Sequence, residues 1–297
     1  MTQRCGLVAV LGAPNAGKST LVNALVGQKV AIVSPKAQTT RARLMGIAIQ
    51  GEAQILLVDT PGIFAPKRRL DRAMVKAAWE GAESADRLVL VLDAAAKLGE
   101  RAQMVLEGVQ NRPEPKILVL NKVDIAKKGD LLKLATELSG RLNPERVFMI
   151  ASTTGDGVAD LKAHLAEAMP EGPWHYPEDQ LSDATDRMVA AELTREQIYL
   201  QLHEELPYSS AIETERWEER KDGSCVIHQQ ILIERDSQKA IVLGKGGSRL
   251  KAIGAAAREA IGEHLGRKVH LFLHVKVAPR WSEDRSVYED IGLDWSN

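Results

Sequence analysis

The 297-residue sequence has only two cysteines, and Cys5 and Cys225 stand far apart within apolar, strand-like runs. That placement favours buried thiols in a reducing compartment over a disulfide or a metal site. No apolar run approaches the roughly 18 residues that a membrane-spanning helix needs, so none is expected. The start of the chain, Met1-Thr2-Gln3-Arg4-Cys5, has no secretory-signal pattern and leads straight into an apolar strand. The expected location is therefore the cytoplasm. Net charge is also nearly absent: 39 Lys and Arg face 40 Asp and Glu, so the overall balance gives no sign of a polyanionic partner. What remains is an ordinary globular composition, 44% hydrophobic and 27% charged, with chain enough for about two domains.

What the sequence does contain begins with Gly12-Ala13-Pro14-Asn15-Ala16-Gly17-Lys18-Ser19, which fits G-x-x-x-x-G-K-[ST]. Before it, Leu7 to Leu11 reads as a buried strand. After it, Thr20 to Val26 repeats apolar residues at helical spacing until Gly27 caps the run. Strand, glycine loop and helix in that order turn backbone N–H groups and a helix N-terminus toward a phosphate. Lys18 is expected to reach the β- and γ-phosphates, the Ser19 hydroxyl to ligate Mg²⁺, and Thr20 to complete the nucleotide contacts.

Gln28 to Arg43 is a polar stretch without apolar periodicity and reads as a functional loop. A hairpin follows, Leu44 to Ile49 and Ile55 to Val58, and its second strand runs into Asp59-Thr60-Pro61-Gly62. A carboxylate at the end of an apolar strand stands on the ligand-binding edge of an open α/β sheet, so Asp59 is expected in the magnesium shell. Gly62, having no side chain, can bring its amide close to a γ-phosphate. Further helices and strands alternate: a helix over 72–85, a strand over 88–92 ending at Asp93, a helix over 101–109, a strand over 117–120, a helix over 131–142, a strand over 147–150 and a helix over 158–168. This is the pattern of a mostly parallel sheet wrapped by helices.

The strand over 117–120 delivers Asn121-Lys122-Val123-Asp124. A carboxylate at Asp124 can accept from both N1–H and the 2-amino group of guanine, a donor pair that adenine lacks. Asn121 bonds the base and the surrounding loops, and Lys122 lays its stem over the ring. A site built on such bonds discriminates by about 10⁴, so GTP or GDP is expected and ATP is not.

These motifs resemble the translation-factor-like branch of the P-loop GTPases over residues 5–168. The resemblance implies the phosphate loop at Gly12 to Ser19, a switch-I threonine on Mg²⁺ and the γ-phosphate, a second switch at Asp59 to Gly62, and base recognition at Asn121 to Asp124. Thr40 is favoured as the switch threonine, with Thr39 the alternative. A last family motif falls on Ala151-Ser152-Thr153 and implies that the Ser152 amide faces the guanine oxygen. Lys18, Thr40, Gly62 and Asn15 are the expected catalytic groups, and Ser19, Thr40 and Asp59 the metal set. One departure stands out, because Ile63 occupies the place where many relatives carry a water-orienting glutamine. Asn15 resembles the asparagine with which some relatives hold K⁺ beside the phosphates.

Composition changes at 169–183, where Pro170, Pro173 and Pro177 lie among acidic residues, an expected linker whose Trp174 and Tyr176 suggest docking. The expected division is thus 1–168, linker 169–183, and 184–297. The last part reads as a helix over 184–206, a weak strand over 211–217 and a hairpin through Asp222-Gly223 to an alternating strand over 225–233. The apolar Ile241-Val242-Leu243, read as a strand, then leads into Gly244-Lys245-Gly246-Gly247, a helix follows from Leu250, and an alternating strand closes the unit over 269–277. Between Lys239 and Arg280 nine Lys or Arg face two acids, a local basic excess that suggests a polyanion. This α+β segment resembles a type II KH domain, in which the glycine loop clamps a single-stranded RNA backbone. Gly244, Lys245, Gly246, Gly247, Arg249 and Lys251 are the expected RNA contacts.

Leu206-Pro207-Tyr208-Ser209, Gly244 to Ile253, Val275-Lys276-Val277 with Trp281, and Gln38-Thr39-Thr40-Arg41 together resemble the KH-domain ribosome-assembly GTPases. That family implies a partner in small-subunit ribosomal RNA near its 3′ end and in the 30S subunit, with no DNA partner. Two readings of other classes stay open. One is a membrane-surface GTPase peripheral to the inner face of the cell membrane, and the other a nucleotide-binding scaffold with negligible hydrolysis.

Overall fold

The computed structural model describes residues 2–36, 39–41, 43–202 and 206–295. By their contacts they form two compact units, Met1–Val33 with Thr40–Asp183 and Ser34–Thr39 with Ala184–Asn297.

The first unit contains the strands β1 (Arg4–Leu11), β2 (Leu44–Gln50), β3 (Ala53–Asp59), β4 (Arg87–Asp93), β5 (Lys116–Asn121) and β6 (Arg146–Met149). Its helices are α1 (Lys18–Val26), α2 (Arg69–Glu83), α3 (Glu100–Gln110), α4 (Lys128–Leu142) and α5 (Val158–Ala168). The sheet order is β2-β3-β1-β4-β5-β6, parallel throughout except for the β2–β3 hairpin. Alternate strand residues pack on opposite faces. Val8, Val10, Ile55 and Val89 meet Leu21 of α1 and Leu161 of α5, while Ala9, Leu11, Leu88 and Leu90 meet Ala78 of α2, Val105 of α3 and Leu138 of α4. Both faces being covered, these strands read as unbroken apolar runs. Register then puts polar groups on one sheet edge, with Asp59 opposite Val10 and Asp93 opposite Asn121.

Residues 169–183 group with this first unit. Trp174 and Tyr176 pack against Cys5, Met45, Ile47 and Leu56. The buried Gln54 carbonyl accepts the amides of His175 and Tyr176 at 2.9 and 3.1 Å. Ile47 N–H donates to the Leu181 carbonyl at 2.8 Å, which covers part of the otherwise open edge of β2.

The second unit contains α6 (Asp186–Gln201), β7 (Ser210–Glu219), β8 (Cys225–Ile233), α7 (Asp236–Leu243), α8 (Ser248–Leu265), β9 (Val269–Val277) and α9 (Arg285–Ile291). Its sheet runs β7-β8-β9, with β8 antiparallel to β7 and parallel to β9. Ile198 and Leu202, Ile231, Val242, Ile253 and Val275 form its core. The order α-β-β-α-α-β is that of a type II KH domain, as expected.

Two expectations for this unit change, and one element is added. The helix predicted over 184–206 stops at Gln201, because Leu202 turns to an extended conformation, and a 3₁₀ turn occupies Leu206–Ser209. Residues 203–205 of that prediction lie outside the described residues. The apolar Ile241-Val242-Leu243 is the last part of α7 and not a strand. Gln238 accepts the amides of Glu234 and Arg235 at 2.9 Å each and so starts a helix, and an apolar run this short carries no period to tell the two apart. The glycine loop therefore joins two helices. Finally, α9 has no counterpart in the sequence reading; Asp284 caps it by accepting from Ser286 N–H at 3.0 Å. Both cysteines are free and buried, and among the described residues no helix is long and apolar enough to cross a membrane.

Candidate functional site

The phosphate loop, Gly12 to Gly17, ends where α1 begins at Lys18 and leads on to Ser19 and Thr20. Gly17 has φ +97, a conformation L side chains avoid, and a Cβ there would lie 2.1 Å from Asn121 Nδ2. Only glycine lets the loop close on the end of β5. The buried Lys18 ammonium donates to the carbonyls of Gly12 and Ala13 at 3.2 and 3.1 Å. Burial lowers its pKa to about 8, against the opposing pull of Asp59.

Three oxygens converge next to it. Ser19 Oγ donates to Asp59 Oδ2 at 2.7 Å and lies 2.8 Å from Thr40 Oγ1, which is itself 3.1 Å from the same carboxylate oxygen. Burial pushes the Asp59 carboxyl up, against Lys18 and the two hydroxyls. Its other oxygen, Oδ1, is buried with no hydrogen-bond partner among the described residues. Leaving a buried acceptor unpaired costs about 1–3 kcal/mol, and hard oxygen donors of this kind suit Mg²⁺ and its waters. The residues fit the expected ion.

The structure separates the two threonine candidates. Thr39 Oγ1 donates to the Lys36 carbonyl at 2.9 Å and lies 3.0 Å from Ser34 Oγ, while its carbonyl accepts the Arg195 guanidinium. Thr40 is the one at Ser19 and Asp59. Gln38, read together with them, lies outside the described residues.

Gly62 rests on the phosphate loop, since a Cβ there would come within 2.8 Å of Pro14. Ile63 N–H donates to the Gly12 carbonyl at 3.2 Å, and its side chain is 1% exposed within the cluster that holds Leu11, Ala78 and Leu90. Withdrawing an isoleucine from water is worth about 2 kcal/mol. Ile63 thus belongs to the core.

On the base side, Asn121 is almost fully buried. Its Nδ2 donates to the Ala16 carbonyl at 2.9 Å, and its Oδ1 accepts from the Ser152 amide and hydroxyl at 3.0 and 2.9 Å. The Ser152 amide, expected at the base, is thus held by Asn121, whose carbonyl also has the Ser152 hydroxyl as a donor. Lys122 has φ +65, and its ammonium donates to the Asn15 carbonyl at 2.7 Å and to Asp93 Oδ2 at 2.6 Å. Asp124 is exposed just beyond. Sequence reading gives Asp93 no role, although it ends β4 as Asp59 ends β3 and Asn121 ends β5; that shared position is the available signal. A cavity of about 470 Å³ opens beside the loop, lined by Ala13 to Ala16, Leu92, Asp93 and the start of α3.

The second glycine loop differs in kind. Gly244, Gly246 and Gly247 have φ +69, +60 and +79, and a Cβ at Gly246 or Gly247 would meet nothing within 4 Å. Lys245, Arg249 and Lys251 are exposed around it. The Arg249 guanidinium donates to the Ile241 carbonyl at 3.1 Å and so ties the loop to the end of α7.

Residues 7–122 match the family described as 50S ribosome-binding GTPase, and residues 205–282 match the KH domain family. The chain is 62% identical over 296 residues to GTPase Era of Erythrobacter litoralis, covering 98% of this chain and 97% of that one. The chain belongs to the Era family of GTPases. An Era of Rhizobium meliloti is 57% identical over 292 residues, covering 98% and 93% of the two chains. Two crystal structures of Era match with a TM-score of 0.92 and 36% identity, covering 98% of this chain and 99% of theirs. One holds MgGDPNP and nucleotides 1506–1542 of 16S ribosomal RNA, and the other, from Aquifex aeolicus, is a single-residue variant bound to GDP and aluminium fluoride.

Proposed function

We propose that this chain binds GTP with Mg²⁺, hydrolyses it, and uses its KH domain to hold small-subunit ribosomal RNA near its 3′ end during maturation of the 30S subunit. The observation that carries this reading is the buried Asp59, with one oxygen on Ser19 and Thr40 and the other without a partner among the described residues, in a chain that matches Era over 98% of its length. Ser19 and Thr40 ligate Mg²⁺, and Asp59 holds waters of its shell. Bound there, the ion neutralises charge between the β- and γ-phosphates.

Lys18 exchanges its carbonyl partners for phosphate oxygens. Asp124 selects guanine, Asn121 keeps the phosphate loop and the Ser152 loop in place, and the Ser152 amide turns from the Asn121 carbonyl, which keeps the Ser152 hydroxyl, to the guanine oxygen. With Ile63 in the core, Asn15 supports hydrolysis by holding K⁺ beside the phosphates, and the Gly62 amide meets the γ-phosphate. Gly244 to Gly247, with Lys245, Arg249 and Lys251, clamps the RNA backbone. The chain works in the cytoplasm. The excess of basic residues between Lys239 and Arg280 also supports a peripheral place at the inner face of the membrane.

Single-turnover hydrolysis of GTP, with and without RNA of the small-subunit 3′ end, tests the proposal. Turnover that ATP does not inhibit, together with RNA binding that random RNA and anionic vesicles do not displace, is the expected result. Negligible turnover under all conditions would leave a nucleotide-binding scaffold, and equal displacement by vesicles would favour the membrane.

A further inference from the structure

Asp93 stands at the end of β4, in register with Asn121 at the end of β5. Its two carboxylate oxygens have different partners. Oδ1 accepts the Ala95 amide at 3.0 Å and forms a local turn, while Oδ2 lies 2.6 Å from the Lys122 ammonium. Both side chains are largely shielded, at 25% and 32% exposure, so solvent screens this pair less than a surface one. The same ammonium donates to the Asn15 carbonyl at 2.7 Å. Asn15 and Lys122 both hold left-handed backbones, φ +66 and +65, a conformation that asparagine tolerates and that is uncommon for lysine. Two left-handed residues from different loops are thus tied together by one cation, and that cation is fixed by one carboxylate.

We propose that Asp93 is a positioning residue of the nucleotide site, acting through Lys122. Without its charge the flexible four-carbon stem of Lys122 has many rotamers and only one carbonyl to hold it. With it, the stem is pinned across the place where the purine lies, and the Asn15 carbonyl is kept turned toward Lys122. The inference rests on the guanine-nucleotide reading above. It adds that base-stacking geometry and the shape of the phosphate loop are set jointly from the end of β4.

The test measures GDP and GTP affinity and dissociation rate, with ADP as the control nucleotide, for the full chain, for Asp93→Asn, for Lys122→Met and for the double variant. Asparagine keeps the size of the side chain and an oxygen for the Ala95 amide, so the turn and the melting temperature should hold. Asp93→Asn is expected to weaken GDP and GTP alike by about tenfold, through faster dissociation. In the Lys122→Met background it should have no further effect, because the group through which it acts is gone. Unchanged affinity for Asp93→Asn, or an equal loss in both backgrounds, would overturn the proposal. Failure of the unaltered chain to prefer GDP over ADP would instead overturn the reading on which it rests.

Discussion

Two glycine loops in this chain each lead into a helix through a left-handed glycine, Gly17 before α1 and Gly247 before α8, yet their surroundings are opposite. Around Gly17 there is no room: Asn121 lies 2.1 Å from a Cβ position, Lys18 is buried, and the loop is bonded to elements that end β3 and β5. Around Gly246 and Gly247 there is open space and exposed cations. A helix N-terminus with N–H groups to offer suits an anion in either case. Enclosure decides which anion. A small nucleotide can be surrounded, and the first loop is braced by Asn121 and by the Ile63 amide. A polymer must pass through, and the second loop leaves its backbone open to it.

The largest effect is expected where the enclosure is tightest. Gly17→Ala adds a left-handed cost of about 1–2 kcal/mol and pushes Asn121 off Ala16 and Ser152. GDP affinity should fall about 100-fold in a fluorescent-nucleotide titration while RNA affinity holds. If Gly17→Ala binds GDP normally, the bracing by Asn121 is not what shapes the site.

At the open loop, Gly246→Asp places bulk and a negative charge where RNA phosphates would lie. RNA affinity should drop at least about tenfold, a cost over about 1.4 kcal/mol. GTP turnover should stay within about twofold and circular dichroism should be unchanged. Survival of RNA binding on the folded variant would remove this loop from the RNA site and end the comparison on that side.

A smaller effect sharpens the enclosed side. Hydrolysis should run a few-fold faster in K⁺ than in Na⁺ at equal ionic strength, by the order of a well-placed charge near the phosphates. Asn15→Gly tests the side chain without disturbing the backbone, since glycine accepts the φ of +66. The salt difference should vanish in that variant. Equal rates in both salts with Asn15 present would exclude a bound K⁺ there.

The smallest expected effect touches neither loop and separates folding from binding. His164 on α5 packs against Phe148 with the rings tilted at 48° and their centroids 5.4 Å apart, and its Nε2 is buried without a partner among the described residues. Burial first, and then Arg146, lower its pKa. The unfolded chain takes up this proton near pH 6.5 while the folded chain resists it, so stability falls as the pH drops below about 6.5. Melting temperatures from pH 7.5 to 5.5 should show that slope, and His164→Phe should flatten it. An unchanged slope would place the acid sensitivity elsewhere.

Sequence alone determined the parts that rest on local chemistry and period. The order of strands and helices in the first unit, the phosphate loop, Asp59, the Asn121 to Asp124 motif and the alternating β9 each follow from spacing along the chain. So does the exposed GKGG, because a glycine cluster of this kind is a turn in almost any context. Tertiary structure decided what depends on neighbours distant in sequence. Thr40 was separated from Thr39 by which hydroxyl lies against Ser19 and Asp59, residues 21 and 19 positions away. The Ser152 amide went to Asn121, 31 positions away, because a buried carbonyl must be satisfied. Ile63 vanished into a core that the sequence could suggest but not assemble. Asp93 gained a role only when the parallel sheet set β4 beside β5 and brought Lys122 within 2.6 Å. Periodicity reports which face of an element is buried; which polar groups meet is fixed by packing, and no local pattern encodes it.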